Sequence, residues 1–492
     1  MSRLNFLATT GLCLFVSTAL HGQQWLVDTT FHIEAQEQGA ISILPLADGK
    51  VIVSGRLKWP GELDCKLLVR LESDGTLDGS FYNSSLGGAL ITPFGEGFYV
   101  GTSQTVRKIL PNGQQDPTFL EMNLGPYFES VQGGDYHVFP DGRVLMTGAH
   151  FLDDTIRGFY GLYNLVWFTN EGYLDTTRIH RRSNGVTYDF EALSNGQFLV
   201  YGTGTTYEGQ AVGRIFRIHA DGSLDPTFQS GMNWGAIRSF LPLQDGRFYA
   251  AGIFRRTGFP DDTLRVARFH SNGELDQTFA APHFAYYDQP NPSNLGPSMN
   301  EIQFTEDGNI MIMGNFQLAN GVFRKGLCVV DSTGALLDDF SNIGVGRYYW
   351  MNIPNAHVKG FLPIANDTAY IYGAYHGCSD GTTNDTLQRF VTRLYAPAFT
   401  TVVQEPEVVE KQFNLYPNPA AEQVTITYAL RAETTDAFVV IRDAMGRVVL
   451  QRQLPSGAGR TTVDTRRLAP GLYAVSLMQG DVAVATPKLL IQ

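Results

Sequence analysis

The sequence predicts an all-β protein in two parts, a large repeated region and a small module at its C-terminal end. Three observations lead there. Glycine is plentiful, 52 of 492 residues, while charged residues are sparse at 17%. Apolar–polar alternation comes in short runs closed by Asp-Gly or Asn-Gly. One fourteen-residue pattern returns along the chain. Short strands joined by tight turns account for this composition, because glycine supplies the positive φ that tight hairpins need. Hydrophobic residues (43%), with 12% aromatic, suffice for a large core. A net charge of −12 argues against nucleic acid or an anionic membrane face as the main partner.

Residues 1–22 have the form of a signal peptide. Arg3 precedes the apolar run "FLATTGLCLFVSTAL", too short for a good membrane span. Cleavage is expected near Gly22 or Gln23, with Ala19 as another processing point. Cys13 lies in that run with no lipobox around it. The chain after cleavage keeps Cys65, Cys328 and Cys378. An odd number allows at most one bridge, so disulfides are not expected to organise the exported fold. No other stretch is apolar for long enough to span a membrane.

The repeats come next. "LVRLESDGTLDGSF" (Leu68–Phe81) returns as "VRKILPNGQQDPTF" (Val106–Phe119), "LVWFTNEGYLDTTR" (Leu165–Arg178) and "IFRIHADGSLDPTF" (Ile215–Phe228). It returns again as "VARFHSNGELDQTF" (Val266–Phe279) and "LCVVDSTGALLDDF" (Leu327–Phe340), six complete copies in all. Before each lies a second element, an apolar stretch, a polar turn and an alternating strand ending in Gly. It occurs seven times, ending at Gly55, Gly101, Gly148, Gly202, Gly252, Gly314 and Gly373. The seventh unit continues into "FVTRLYAP" (Phe390–Pro397) and stops before its Asp-Gly part. The missing tail, "WLVDTTF" (Trp25–Phe31), follows the signal peptide instead. Seven units with one split between the chain ends predict a seven-bladed β-propeller over residues 23–396, closed by an N-terminal strand. With its "DGxLDxxF" blade ending, the pattern resembles the delta-60 repeat family of β-propellers from about Trp25 to Ala396. That likeness concerns the fold and leaves function open.

Within the fourteen-residue element, positions three and eleven carry opposite charges: Arg70 with Asp78, Arg217 with Asp225, Arg268 with Asp276, and Arg393 with Asp28 across the split. Lys108 and Asp116 make a fifth pair. Where the cation becomes Val329 the acid becomes Leu337, and Trp167 with Asp175 is the exception. With a three-residue hairpin loop these positions face each other, so a cross-strand ion pair is expected in most blades, Arg393–Asp28 joining the chain ends. A two-residue turn with another register is the alternative.

Periodicity breaks after Ala396. Residues 397–411, rich in acids and proline, read as a linker, and 412–492 as a small Ig-like β-sandwich. This end resembles the C-terminal sorting domain of type IX secretion cargo in Bacteroidetes. The likeness rests on Tyr416-Pro417-Asn418-Pro419, the Asp443–Arg447 turn with Gly446, Gly471 and Tyr473, and the closing strand that begins at Lys488. The resemblance implies the type IX machinery as partner. It also implies export to the outer cell surface or medium, with surface glycolipid as an attachment point.

Catalytic signals are thin. There is no Gly-x-Ser-x-Gly elbow, no paired zinc spacing, no calcium-loop pattern and no sialidase box, and the histidines are scattered singly, as in "GDYHVF" with His137. No cofactor or metal is therefore expected. "DDTI", "DDTL" and "NDTL" recur before third strands; turn chemistry explains them, although each resembles an O-glycosylation sequon of Bacteroidetes at Thr155, Thr263 and Thr386. Aromatic clusters between blades, with Tyr286, Tyr287, Tyr348, Tyr349 and Trp350, offer a candidate rim for stacking on sugars, packing between blades being the other reading. The expected function is a secreted or cell-surface, non-enzymatic module that binds glycan or extracellular protein. The alternative is a glycan-active hydrolase or lyase using the central channel. Three or more convergent acids or arginines at the channel mouth would favour that alternative; a small apolar lining would weaken it.

Overall fold

The computed structural model describes residues 25–120, 127–287, 296–337, 343–350, 353–355, 357–365, 367–396, 413–429, 437–443, 447–455, 458–479, 482–485 and 487–492. The chain divides into two compact units, 1–397 and 398–492. The described residues form strands and turns, with no helix.

Seven antiparallel sheets in the first unit repeat one plan, a meander of three strands. In the first sheet these are Glu37–Pro45, Val51–Lys58 and Lys66–Leu71. The second has Ile91–Phe94, Gly97–Gly101 and Val106–Ile109, and the third Phe128–Val138, Val144–Asp154 and Phe159–Phe168. The fourth has Thr187–Ala192, Phe198–Gly202 and Ile215–Ile218, and the fifth Met232–Pro242, Phe248–Arg256 and Thr263–Phe269. The sixth has Met299–Phe304, Ile310–Gly314 and Leu327–Val330, and the seventh His357–Ala365, Thr368–Ser379 and Asn384–Tyr395. Leu26–Val27 pairs with the last of these, Leu26 opposite Tyr395.

The middle strands read "VIVSG", "FLVYG" and "IMIMG" because both of their faces are covered. Val51 and Val53 point into a core cluster shared with Tyr370 and Val391 of the seventh sheet. Ile52, between them, joins Phe98 and Val100 of the second sheet. Period-two alternation therefore sends apolar side chains both ways, and each pair of consecutive sheets has its own core.

The fourteen-residue element is a third strand, a three-residue loop and a short return. Glu72 N–H donates to the Thr76 carbonyl and Gly75 N–H to the Glu72 carbonyl, which places Leu71 opposite Leu77. Gly75 has φ +90°, and its missing Cβ is also needed for contact, since a methyl there would lie 2.3 Å from the His32 carbonyl oxygen. His32 N–H donates to the carbonyl of Asp74 in that same loop. The arrangement recurs from sheet to sheet, with Tyr82 N–H to Asn112, Gln229 to Asn272 and Ala280 to Thr333. Each loop is thus both a turn and the dock for the preceding unit.

The second unit has a three-stranded sheet (Asn414–Tyr416, Gln423–Ala429, Ala458–Asp464) and a five-stranded one (Ala437–Arg442, Val448–Leu454, Gly471–Gln479, Val482–Ala485, Lys488–Ile491). They share one core around Val424, Ile426, Val439, Ile441 and Val475.

Candidate ligand-binding channel

The charged positions of the outer hairpins come together as four close pairs. Nε of Arg70 lies 2.7 Å from Asp78, that of Arg217 2.8 Å from Asp225, that of Arg268 2.6 Å from Asp276, and that of Arg393 2.7 Å from Asp28. Lys108 sits 3.0 Å from Asp116. The other carboxylate oxygen accepts from the backbone and hydroxyl of Ser80, Thr227, Thr278 or Thr30, which explains the Ser or Thr two residues after each Asp. Burial opposes ionisation of Asp78, but hydrogen bonds from Lys50, Ser80 and Arg70 outweigh it and hold the carboxyl well below the usual range. Asp225 settles at about 2 by the same balance, with Thr227 and Arg217 as partners. At the exception, the cation comes from Arg178, 3.9 Å from Asp175.

The arginines also reach forward. Arg70 donates to the Pro111 carbonyl, Arg217 to Ser271 and Arg268 to Ser332, each in the next sheet's loop. Arg393 donates to the Ser73 carbonyl at 2.6 Å, from the last sheet to the first. In the third sheet, where Trp167 replaces the cation, Arg181 takes over and donates to Asp221. These side chains hold loops rather than face an open ligand site.

The first strands of the sheets behave differently. In six of the seven, the pairing slips by a bulge at one phase: between Ala40 and Ser42, Gly133 and Tyr136, Thr187 and Asp189, Ile237 and Ser239, Met299 and Glu301, and Val358 and Gly360. The strand-ending glycines lie against these bulges. A Cβ on Gly55, Gly148, Gly252, Gly314 or Gly373 would fall 2.2–2.5 Å from a bulge carbonyl oxygen. A bulge locally breaks strict alternation and re-aims side chains. Here it turns neighbouring residues such as Tyr188 and Asp189, or Arg238 and Ser239, toward one shared space.

That space is a cavity of about 690 Å³ lined from all seven first strands or the residue just before them. The first and second sheets contribute Ile41 and Leu90, both partly exposed. The third contributes Asp135, the fourth Asp189 and Glu191, the fifth Arg238 and Ser239, the sixth Glu301 and the seventh Lys359. Tyr188 and Tyr201 stack with ring centres 6.1 Å apart and 23° between planes.

Burial raises the proton affinity of all four carboxyl groups that line the cavity, and neighbouring carboxylate charges add to it at Asp135, Asp189 and Glu191. Burial pushes Asp135 up, against hydrogen bonds from the Tyr136 amide and from Asp189. Burial and the Asp135 charge push Asp189 up. Glu191 rises to about 7 through burial and the charges of Asp135 and Glu301. Burial raises Glu301 as well, moderated by Lys359 at 4.0 Å and by the Ser239 hydroxyl, which donates to it. The Lys359 charge acts the other way on both Asp135 and Asp189, favouring their ionised forms. Among the described residues no group of three His, Cys, Asp or Glu converges to hold a metal ion.

None of these channel residues was singled out from the sequence. "GDYHVF" drew attention to His137, whose ring packs on Phe139 and Phe198, while Asp135 beside it faces the cavity. A signal existed: five of the seven apolar first strands are interrupted by charge at one phase, as in "YDFE", "AIRSF", "NEIQF" and "HVKGF".

Of the candidate rim, Tyr287 is 66% exposed and packs edge-on to Phe323, while Tyr286 is half-buried beside Arg265. Tyr348–Trp350 forms a hairpin strand paired with Ile353–Asn355; the side chains of Tyr348, Tyr349 and Trp350 lie outside the described residues. Thr155 sits in an exposed turn, Thr386 is exposed on a strand, and the Thr263 hydroxyl accepts from Arg255. Cys65, Cys328 and Cys378 are free thiols.

In the second unit, the Asn418 side chain donates to the Lys488 carbonyl and accepts from Leu490 N–H, joining the Tyr416–Pro419 segment to the last strand. Tyr473 is buried opposite Leu489, its hydroxyl donating to Ala469, and Gly471 lies opposite Ile491. Gly446 lies outside the described residues.

Comparison with known families matches this division. Residues 414–492 match the family described as "Secretion system C-terminal sorting domain". Residues 46–81, 193–228 and 243–279 match "Domain of unknown function (DUF5122) beta-propeller". The matched stretches are consistent with propeller repeats followed by a type IX sorting tail. Such a tail implies export to the cell surface or medium. No curated protein matches the chain. Among solved structures, PorZ, a surface component of the type-IX secretion system of Porphyromonas gingivalis, is 12% identical over 93% of this chain and 60% of its own, with TM-score 0.35. This chain therefore spans less than two thirds of PorZ. The Pan2 WD40 domain of Neurospora crassa is 10% identical over 76% of this chain and 95% of its own, TM-score 0.37. The PQQ-bound aldose sugar dehydrogenase of Streptomyces coelicolor is 13% identical over 76% and 99%, TM-score 0.33. Among the described residues no helix is long and apolar enough to cross a membrane.

Proposed function

We propose that the protein is a secreted or cell-surface propeller of seven blades that binds a glycan at the mouth of its central channel. Residues 23–396 would form the ring, with Leu26–Val27 closing the last blade, residues 1–22 removed, 397–411 a linker and 412–492 the sorting domain handled by the type IX machinery. The Arg393–Ser73 hydrogen bond and the core shared by the first and seventh sheets support closure. One observation carries the binding site: a single cavity receives side chains from all seven sheets, mixing carboxyls, two cations and stacked tyrosines. Polar groups fixed on strands around an aromatic wall suit a polyhydroxylated ligand, which needs several oriented hydrogen bonds and a surface for its C–H face. The aromatic rim becomes a secondary surface in this reading.

The test is a glycan array probed with the full mature chain and with Asp189→Asn, Lys359→Ala and Trp350→Ala. Hits lost in the channel variants and kept by Trp350→Ala support the channel. Loss in Trp350→Ala alone returns the site to the rim, and an empty array from folded protein removes the glycan reading.

A second reading is a glycan-active hydrolase or lyase in the same channel. The convergence of Asp135, Asp189, Glu191 and Glu301 favours it, since such chemistry needs a protonated acid near an ionised base. Incubating array hits with the protein and assaying new reducing ends or unsaturated products decides it; an unchanged glycan excludes turnover.

A further inference from the structure

On the outer side of each sheet the third strand needs a neighbour, because an open β-edge leaves a row of backbone donors and acceptors unpaired. In the first sheet the chain beyond the short return fills that place. Ser84 exchanges backbone hydrogen bonds with Leu68, and the Asn83 side chain accepts from Arg70 N–H. In the third sheet Arg181 exchanges with Leu165, and the His180 ring accepts from Trp167 N–H. In the fourth, the Ser230 hydroxyl donates to the Ile215 carbonyl and Arg214 N–H donates to that of Met232. In the fifth sheet the equivalent residues are Ala281 and Pro282. Ala281 has no side-chain acceptor, and Pro282 has no amide proton.

The phase of the ladder shows what is left uncapped. Arg268 stands opposite Tyr249, and its carbonyl accepts from Asp276 N–H on the outer side. Two residues back, Val266 stands opposite Ala251 and so turns its own N–H and C=O outward as well. Among the described residues neither group of Val266, nor the Arg268 N–H, has a hydrogen-bond partner. A groove of about 300 Å³ runs beside this edge, lined by Thr263 to Ala267 and by Ala281, Pro282 and Phe284. Solvent answers such groups one at a time, whereas a second backbone carries the matching acceptor, donor and acceptor at strand spacing. Charge at the groove is one-sided. Its one acid, Asp276, is committed to Arg268. At the Thr263 end, Arg255 donates to the Thr263 hydroxyl and stacks 4.3 Å from the Trp234 ring centre, with no carboxylate partner among the described residues.

We propose that this edge of the fifth sheet takes an extended peptide of a partner protein as its fourth strand, an acidic side chain of that peptide pairing with Arg255. The peptide residue opposite Val266 exchanges two backbone hydrogen bonds with it, as Ser84 does with Leu68, and a peptide carbonyl accepts from Arg268 N–H. This surface is independent of the glycan reading, since it lies on the third strand, while the first strand of the same sheet lines the channel.

The experiment measures fluorescence anisotropy of labelled decapeptides with the full mature chain. The probes alternate Val and Thr, with one Glu moved through the positions in turn. Matched sets carry Lys in place of Glu, or N-methyl groups on the alternate amides of one edge or the other. The best Glu peptide should bind about fivefold tighter, or more, than its Lys counterpart. N-methylation along one edge should abolish binding, and along the other it should be tolerated. Arg255→Gln should remove the preference for Glu and keep the sensitivity to N-methylation. The double variant Ala281→Asn with Pro282→Ser copies the Asn83–Ser84 cap of the first sheet. It should abolish peptide binding at an unchanged or higher thermal midpoint, which separates capping from unfolding. Binding that survives in this variant overturns the proposal, as does equal binding of peptides methylated along either edge, or no binding by any peptide. Self-association of the chain that is lost in the double variant would give the edge to a second copy and overturn the partner peptide as well.

Discussion

The outer hairpins and the channel strands are built from the same seven units and have diverged in opposite ways. Around the outside, the Arg–Asp pair, the Ser or Thr cap and the loop glycine recur almost unchanged. Around the inside, the bulge recurs while its residues run through Ile41, Asp135, Asp189, Arg238, Glu301 and Lys359. Repetition marks what every unit needs in order to dock on its neighbour. Variation on a fixed bulge marks where the units together face something asymmetric. The two regions also titrate in opposite directions. Outer carboxyls are lowered, so their stabilisation is present above the unfolded pKa near 3.8 and lost as pH falls through the folded value. Channel carboxyls are raised, so the folded state holds extra protons and loses stability as pH rises from about 4 toward 7.

The largest expected effect lies in the outer pairs. Arg268 and Asp276 are 7% and 3% exposed at the side chain, and Arg268→Met leaves a buried carboxylate without its main partner, at ~3 kcal/mol. The double variant Arg268→Met with Asp276→Leu copies the apolar Val329/Leu337 solution of the sixth sheet and should recover much of that loss in a denaturant titration. A double variant no more stable than the single would show that the pair is not a replaceable unit.

Loop glycines sharpen the comparison within one turn chemistry. Gly334 has φ +95° and a Cβ there would lie 2.1 Å from the Ala280 carbonyl oxygen, whereas Gly308, φ +77°, has open space around it. Gly308→Ala should cost about 1 kcal/mol for the backbone alone, and Gly334→Ala about 2 kcal/mol or more because the preceding unit must move. Equal unfolding midpoints for the two would refute the docking role of the outer loops.

The smallest effect is in the channel. Asn at position 189 imitates a protonated carboxyl, so the stability of Asp189→Asn relative to wild type should rise between pH 5 and pH 8, by roughly 2 °C in thermal midpoint. Arg217→Met should show the opposite trend, its deficit shrinking as pH falls below about 4 and Asp225 becomes protonated. A flat difference for Asp189→Asn across that range would mean that the Asp189 carboxyl is not raised in the folded protein.

The sequence by itself determined the all-β class, the presence of a repeated unit, the opposite charges at its positions three and eleven, and the tail segments that meet at Asn418 and the last strand. All of these are local or periodic: a loop glycine and a two-residue alternation act over a few residues, and repetition makes them visible. The sequence also held the strand-ending glycines and the interrupting charges of "YDFE" and "HVKGF" without saying what they were for. Only the tertiary structure decided that. A bulge is a property of two paired strands, so Gly252 acquires its meaning from the Ala236 carbonyl oxygen pressed against it. Asp135 and Asp189 are 54 residues apart by their numbering and meet because consecutive sheets stand side by side. Their proton affinity follows from the cavity around them, since burial and a neighbouring charge are set by what the fold brings together rather than by what the chain places next in line.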